Sequence, residues 1–204
     1  MKVQTAPIIL ASSSPRRKEL LQLVGIPFQV HASHVDEEVD QNLSPEEIVE
    51  ELAQRKAEDV SLSYNHELII GSDTIVVLDQ RILGKPKDSQ EAFFMLKELQ
   101  GRAHWVYSGV AVVDSYTRKV MVSHQKTKVW MRSLSDEEIQ AYIATKEPLD
   151  KAGSYGIQGI GAILIERIEG DYFNIVGLPL VLLQHMLQNF NISILKEFHT
   201  QKLM

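Results

Sequence analysis

Apolar and polar positions along this chain fall into blocks whose period switches between that of strands and that of helices. Ile8-Ile9-Leu10-Ala11 is an unbroken apolar run, the pattern of a short buried strand. Ser12-Ser13-Ser14 turns the chain. Ser14 is placed as an N-cap and Pro15 at the first helical position, and Leu20, Leu21 and Val24 form the stripe of a helix that Gly25 and Pro27 close. Phe28 to Ala32 alternates as a strand, and the acidic run Asp36-Glu37-Glu38-Val39-Asp40 follows. Ser44-Pro45-Glu46-Glu47 is a capping box. The helix it opens carries Val49, Leu52, Ala53, Ala57 and Val60 on one face, with Lys56 on the edge of that face. Leu68 to Leu78 is the strongest buried-strand pattern in the chain, and Asp79-Gln80-Arg81 turns it into Ile82-Leu83-Gly84-Lys85-Pro86. Asp88, with Glu91 three residues on, caps a helix that runs to Leu99 and stops at Gly101.

Two long strands follow, Trp105 to Val113 and Val120 to Met131, with a turn near Tyr116-Thr117-Arg118. Ser135-Asp136-Glu137-Glu138 is a second capping box, for a helix to about Ala144. A glycine-rich loop spans Asp150 to Gly161; Ala162 to Ile168 reads as a strand, and Tyr172 to Val176 as its hairpin partner across Gly170-Asp171. Leu178-Pro179 opens a last helix to about Phe190, and the stretch from Ile192 is expected to fray or form a partly ordered tail. The pattern predicts a mixed α/β fold of two lobes around a central sheet, with a small-molecule cleft between the lobes.

Composition narrows the class. A length of 204 residues, 44% hydrophobic and 24% charged, is that of an ordinary globular chain. No run reaches the roughly 18 apolar residues of a membrane span, and no signal-peptide pattern opens the chain. The absence of cysteine excludes disulfides, thiolate zinc sites and cysteine nucleophiles. A cytoplasmic location is the expectation, with no membrane partner. The net charge of −6 argues against DNA or RNA duplex as a partner, which would need a broad basic surface. A small phosphorylated ligand needs only a local cluster, and Arg16, Arg17 and Lys18 in the first turn of the first helix supply one. Cations there oppose the helix dipole by roughly 0.3–1 kcal/mol each, a cost that an anion docked on the helix N-terminus would offset. Solvated first-turn side chains are the plainer account.

Asp73 stands out because it interrupts an apolar strand. It is either a structural carboxylate paired with a lysine, or a general base or metal ligand. Gly71 and Ser72 just before it leave room for something to approach the backbone. Glu37, in the acidic run, is either a solvated loop residue or, with Asp73, a hard ligand for a divalent cation. Lys85 sits on a rigid turn between Gly84 and Pro86. The loop of four glycines carries Lys151 and also Gln158, whose amide holds both a donor and an acceptor for a base edge. No Walker lysine motif, dinucleotide fingerprint, nucleophile elbow or histidine pair with metal spacing is present.

Leu10-Ala11-Ser12 with Ser14-Pro15-Arg16-Arg17, the segment around Glu37, Lys56-Ala57 and Gly71-Ser72-Asp73-Thr74 recur in order in one family. So do Lys85-Pro86-Lys87-Asp88, Asp150-Lys151-Ala152-Gly153 with Tyr155-Gly156-Ile157-Gln158-Gly159, and Gly177-Leu178-Pro179. By these stretches the chain resembles the Maf family of nucleotide pyrophosphatases up to about Phe190. The resemblance implies one two-lobed domain over 1–190 with a C-terminal extension over 191–204. It implies an elongated mixed-sheet fold similar to the inosine triphosphate pyrophosphatases, a divalent metal (Mg2+ or Mn2+), often a homodimer, and a link to cell division. The implied reaction splits a nucleoside triphosphate into the monophosphate and pyrophosphate. Arg16, Thr74 and Gln158 stand at the positions that separate the family's branches, and they match the dTTP/UTP branch rather than the 7-methyl-GTP branch. Asp73 is then the base or a metal ligand, and Glu37 a metal ligand. Ser12, Ser14, Arg17, Lys56, Lys85 and Lys151 join the three selectors in binding substrate. A division regulator acting by protein contact and a non-hydrolytic nucleotide sensor are the alternatives.

Overall fold

The computed structural model describes residues 6–40 and 42–196. Among the described residues seven strands form one mixed sheet, and six α-helices are set between and after them. In chain order the first elements are β1 (Ile8–Leu10), α1 (Pro15–Leu23), β2 (Phe28–Val30), α2 (Pro45–Ser61) and β3 (Leu68–Leu78). Then come β4 (Arg81–Leu83), α3 (Ser89–Leu99), β5 (Ala103–Asp114), β6 (Val120–Met131) and α4 (Asp136–Ala144). Last are β7 (Ile165–Glu169), α5 (Tyr172–Val176) and α6 (Leu180–Gln188). The strand order is β2-β1-β3-β5-β6-β7, with β4 hydrogen-bonded to β3. β1 lies parallel to both β2 and β3, while β4 pairs antiparallel with β3 and β7 with β6.

The chain divides into two compact units. One holds the residues up to Asp73, Ser108–Gln125 and those from Gly177 onward; the other holds Thr74–Tyr107 and Lys126–Val176. In the first, Ile9 of β1, Ala11 just past it and Ile69 of β3 pack with Ala53, Ala57 and Val60 of α2 and with Ala111 and Val113 of β5. Two glycines let α2 lie directly on the sheet. A Cβ on Gly71 would fall 2.2 Å from the Ala53 carbonyl oxygen, and one on Gly109 would fall 2.0 Å from that of Val49. The room beside Gly71 is therefore taken by the protein's own helix. In the second unit, Val76, Leu78, Val106, Val129 and Met131 form a core with Leu96 and Leu99 of α3 and Ile139 and Tyr142 of α4.

Local signals account for most of these elements. The capping boxes at Ser44 and Ser135 form with Glu47 and Glu138, and Asp88 accepts from the Glu91 N–H. Asp79 and Gln80, at φ of 48° and 68°, make the two-residue turn between β3 and β4. Strand β4 itself exceeds the sequence expectation, while β2 stops at Val30 rather than Ala32. The glycine-rich stretch is less open than expected, since short 3-10 turns occupy Glu147–Asp150, Ala152–Ser154 and Gly159–Leu164. The last of these delays β7 to Ile165.

One expected strand is a helix. Tyr172–Val176 is α5, although its β-branched and aromatic residues favour a strand. The Asp171 carboxylate accepts from the Phe173 N–H at 2.8 Å and starts the turn. The fully buried Asn174 amide then donates to the Val106 carbonyl at 3.0 Å and to Thr127 Oγ1 at 2.9 Å, which locks it. Tertiary hydrogen bonding overrides propensity here. In the C-terminal stretch Ile192 and Ile194 are buried while Leu195 is exposed, and the Ile194 N–H donates to Gln184 Oε1 at 2.9 Å. Residues 197–204 of the expected extension lie outside the described residues. No helix among the described residues is long and apolar enough to cross a membrane.

Candidate active site

In the first unit the middle of β3 and the start of α1 meet at a single carbonyl, that of Gly177. Ser14 occupies the N-cap position with Pro15 behind it, yet its hydroxyl makes no capping bond. Its N–H donates instead to Ser12 Oγ at 3.2 Å, and Arg17 Nη1 donates to the same oxygen at 3.2 Å. Arg17 Nε donates to the Gly177 carbonyl at 2.8 Å, which also accepts the Ser72 hydroxyl at 2.9 Å. Arg17 is thus a half-buried guanidinium fixed from two sides. Burial pushes its pKa below the ordinary value and neighbouring Arg16 adds to that, while the Asp73 and Glu37 charges pull the other way. A cation held where desolvation disfavours its charge is a ready receptor for an anion. Arg16 and Ser14 lie half-buried beside it on the same helical turn.

Lys56 corrects the sequence expectation. It lies on the buried face of α2, not at its edge, with 9% of its surface exposed, as has Asp73. The close approach that Gly71 and Gly109 permit brings this part of α2 over β3, where Asp73 follows Gly71 on the same face of the strand. Lys56 Nζ donates to Asp73 Oδ1 at 2.6 Å and to Glu37 Oε1 at 2.5 Å. The Asp73–lysine pairing weighed from sequence is therefore present, with a second carboxylate added. Glu37 is mostly exposed, and its segment is tied down by Arg55 Nη1 on the Glu38 carbonyl at 2.7 Å and by an Asp36 turn. Arg55 is not singled out by sequence, because a helix-surface arginine carries no local signal.

The two carboxylates converge on the Lys56 ammonium, and a divalent cation that shares its shell with water and substrate phosphates needs only one or two such protein ligands. Among the described residues no cluster of three or more His, Asp or Glu side chains could cage a metal alone.

The second unit holds the remaining candidates. Thr74 is half-buried on β3. Lys85 is exposed just past β4, and the preceding Gly84 carbonyl accepts the Gly153 N–H at 3.1 Å. Gly153, at φ +66°, lies against Val76, where a Cβ would approach Val76 Cγ1 to 3.0 Å. The turn bearing Lys85 and the stretch bearing Lys151 are thereby joined. Lys151 itself is turned inward: Nζ donates to the Glu147 carbonyl and to Asp150 Oδ1. Gln158 is half-buried on extended backbone before the last 3-10 turn, and its side chain makes no cap bond. Two supports of this stretch escaped the sequence reading. His104 Nε2 is 2.6 Å from the Tyr155 hydroxyl, in a site so buried that the imidazole pKa is pushed down to about 4. Glu147 is the other.

The chain belongs to the Maf family. The family model described as Maf-like protein matches residues 7–190. A dTTP/UTP pyrophosphatase of Dictyoglomus turgidum is 53% identical over 189 residues, covering 92% of this chain and 98% of the relative. One of Alkaliphilus oremlandii is 53% identical over 190 residues with the same coverage, 92% and 98%. One of Acetivibrio thermocellus is 50% identical over 197 residues, covering 93% and 98%. A solved structure of the Staphylococcus aureus Ham1 protein aligns with 78% of this chain and 79% of its own at 17% identity; its TM-score of 0.44 gives it no weight.

Proposed function

We propose that this protein hydrolyses dTTP and UTP to the nucleoside monophosphate and pyrophosphate. The observation that carries the proposal is the buried Asp73 carboxylate held with Glu37 on the Lys56 ammonium, in a chain about half identical to relatives named for that activity. A water molecule attacks the α-phosphorus, the bond to the bridging oxygen breaks, and the water's proton passes to Asp73. Negative charge grows on the departing pyrophosphate. Arg17, Lys56 and Lys85, with the positive end of the α1 dipole, stabilise it, the largest expected contribution in phosphoryl-group chemistry. Ser12 orients Arg17 through their hydrogen bond. Glu37 and Asp73 would hold a divalent cation, Mg2+ or Mn2+, which when bound supplies Lewis-acid charge beside the reacting phosphate.

Arg16, Thr74 and Gln158 select the base, since the carbonyl–NH–carbonyl edge shared by uracil and thymine complements an amide with one donor and one acceptor. Lys151, tied to its own segment, serves to shape that segment. Dimerisation and a role in division rest on the resemblance alone.

Pyrophosphate release measured across dTTP, UTP, CTP, ATP, GTP and 7-methyl-GTP tests the proposal, with Mg2+ or Mn2+ present. Turnover confined largely to dTTP and UTP is expected. Preference for 7-methyl-GTP would overturn the roles given to Arg16, Thr74 and Gln158. No turnover of any member would overturn hydrolysis itself.

A further inference from the structure

Between α4 and β7 the second unit runs through some twenty residues with no strand or α-helix, and Gln158 lies inside that stretch. One half-buried side chain organises it. Glu147 Oε1 accepts the Tyr142 hydroxyl at 2.9 Å and the Gly161 N–H at 2.9 Å, while Oε2 accepts the Ile160 N–H at 3.0 Å. The Tyr142 hydroxyl in turn accepts the Gly156 N–H at 3.2 Å. The carboxylate thus ties the backbone on both sides of Gln158, directly at 160 and 161 and through Tyr142 at 156. Its fit depends on glycine. A Cβ on Gly159, which sits at φ +67°, would fall 2.7 Å from Glu147 Oε2, and one on Gly161 would fall 2.5 Å from the Tyr142 hydroxyl. Burial alone would raise the Glu147 pKa; the two N–H donors, the tyrosine hydroxyl and the Lys151 charge hold it below the ordinary value. The carboxylate is ionised and fully employed at neutral pH, so it is unsuited to moving protons and well suited to holding shape.

We propose that Glu147 is a positioning residue for substrate selection: its carboxylate fixes the Gly156–Gly161 backbone so that the Gln158 amide meets the pyrimidine edge in one orientation. This rests on the proposed dTTP/UTP hydrolysis and on Gln158 as a selector. Because the Glu147 carboxylate is bonded to the backbone at 160 and 161 and to Tyr142, its loss is expected to fall on the placement of Gln158 and so on discrimination between bases. In Glu147→Gln the amide NH2 must face one of the two backbone N–H groups, so one end of the clamp opens while side-chain volume is kept.

The experiment compares wild type, Glu147→Gln, Tyr142→Phe and Gln158→Ala for kcat and KM on dTTP, UTP and CTP. Amide exchange at Ile160 and Gly161 is followed by NMR in the same proteins. In Glu147→Gln, the dTTP KM is expected to rise at least tenfold and the dTTP-to-CTP ratio of kcat/KM to collapse towards that of Gln158→Ala. Exchange at the two amides should accelerate. Tyr142→Phe, which removes one hydroxyl and keeps the ring, should shift the ratio in the same direction by less. If Glu147→Gln folds and keeps the dTTP-to-CTP ratio within twofold of wild type, the inference is overturned. If Glu147→Gln does not fold, the ratio in Tyr142→Phe decides, and an unchanged ratio overturns it equally. A wild type with no turnover of dTTP or UTP sinks the proposed function first, and this inference falls with it; the amide exchange would still report whether Glu147 holds the segment.

Discussion

Two regions of this protein hold chemically rich side chains by opposite means. Around Asp73 every candidate sits on, or against, a regular element. β3 places the carboxylate, α2 brings Lys56 over it, and two glycines remove the Cβ atoms that would keep helix and sheet apart. Gln158 itself lies on neither a strand nor an α-helix, and its stretch is held by single side chains such as Tyr142 of α4 and His104 of β5. Backbone N–H groups that a ladder or helix would satisfy are taken by side chains, chiefly Glu147 and Tyr142. A buried polar backbone must find partners one way or the other. The first arrangement suits charged groups that must stand at fixed distances through a reaction. The second would let the selector proposed at Gln158 be re-aimed by changing a few side chains without disturbing the sheet.

The largest effect should come from the first region. Asp73→Asn removes the carboxylate but keeps its shape, and kcat on dTTP should fall by about 10²–10⁴-fold, the span for a lost general base. The circular dichroism spectrum should not change. Gln158→Ala should instead act through KM and base preference. A fall in kcat under tenfold for Asp73→Asn would return Asp73 to the role of structural partner for Lys56, and the contrast in function between the two regions would disappear.

Glycine substitutions probe the contrast in construction. Gly71→Ala drives a methyl group into the Ala53 carbonyl at 2.2 Å, backbone against backbone, and should cost about 3 kcal/mol or more in urea unfolding. Activity should fall with it, because α2 carries Lys56. Gly156→Ala meets only the flexible Lys151 side chain, at 2.9 Å, and should cost about 1 kcal/mol or less. Equal losses at the two positions would mean that the irregular stretch is packed as tightly as the helix–sheet contact.

The same division governs what the sequence discloses. Strand β3 is legible to the residue, and the capping boxes at Ser44 and Ser135 mark their helices, because those signals are local. Asp73 is conspicuous because a carboxylate in an apolar run demands a partner. Lys56 is misjudged as an edge residue because helical periodicity ranks residue types by hydrophobicity, and a lysine buried between two carboxylates violates that ranking only once the carboxylates are in place. Tyr172–Val176 reads as a strand because its hydrogen bonds to Val106 and Thr127 reach across more than forty residues. Glu147 gives no local sign for a related reason. Its partners are backbone N–H groups, which look the same in every sequence.

Acid should strain the second region through His104. Its imidazole is buried and neutral, with a pKa pushed down to about 4, while in the unfolded chain it returns to about 6.5. Between those values the unfolded state binds the extra proton. This share of stability is therefore complete above about pH 6.5 and drains away as pH falls towards 4, for a loss of about 3 kcal/mol. Urea unfolding at a series of pH values should show a shallower decline in His104→Phe than in wild type over that window. Parallel declines would assign the acid sensitivity to other groups.

The smallest effect separates two serines that look alike in sequence, each followed by proline at a helix start. Ser44 Oγ accepts from the Glu47 N–H, and the Glu47 carboxylate accepts from the Ser44 N–H at 2.8 Å, so Ser44→Ala should cost about 1 kcal/mol. Ser14 makes no side-chain cap, and Ser14→Ala should shift the urea midpoint by no more than a few tenths of a kcal/mol. Kinetics should reverse the order. Ser14 lies at the helix end beside Arg17, so its loss should raise KM for dTTP, whereas Ser44→Ala should leave KM unaltered. The Ser14 hydroxyl does not cap α1, so a rise in KM with no loss of stability would mark it as part of the proposed phosphate site, whereas Ser44 only holds its helix.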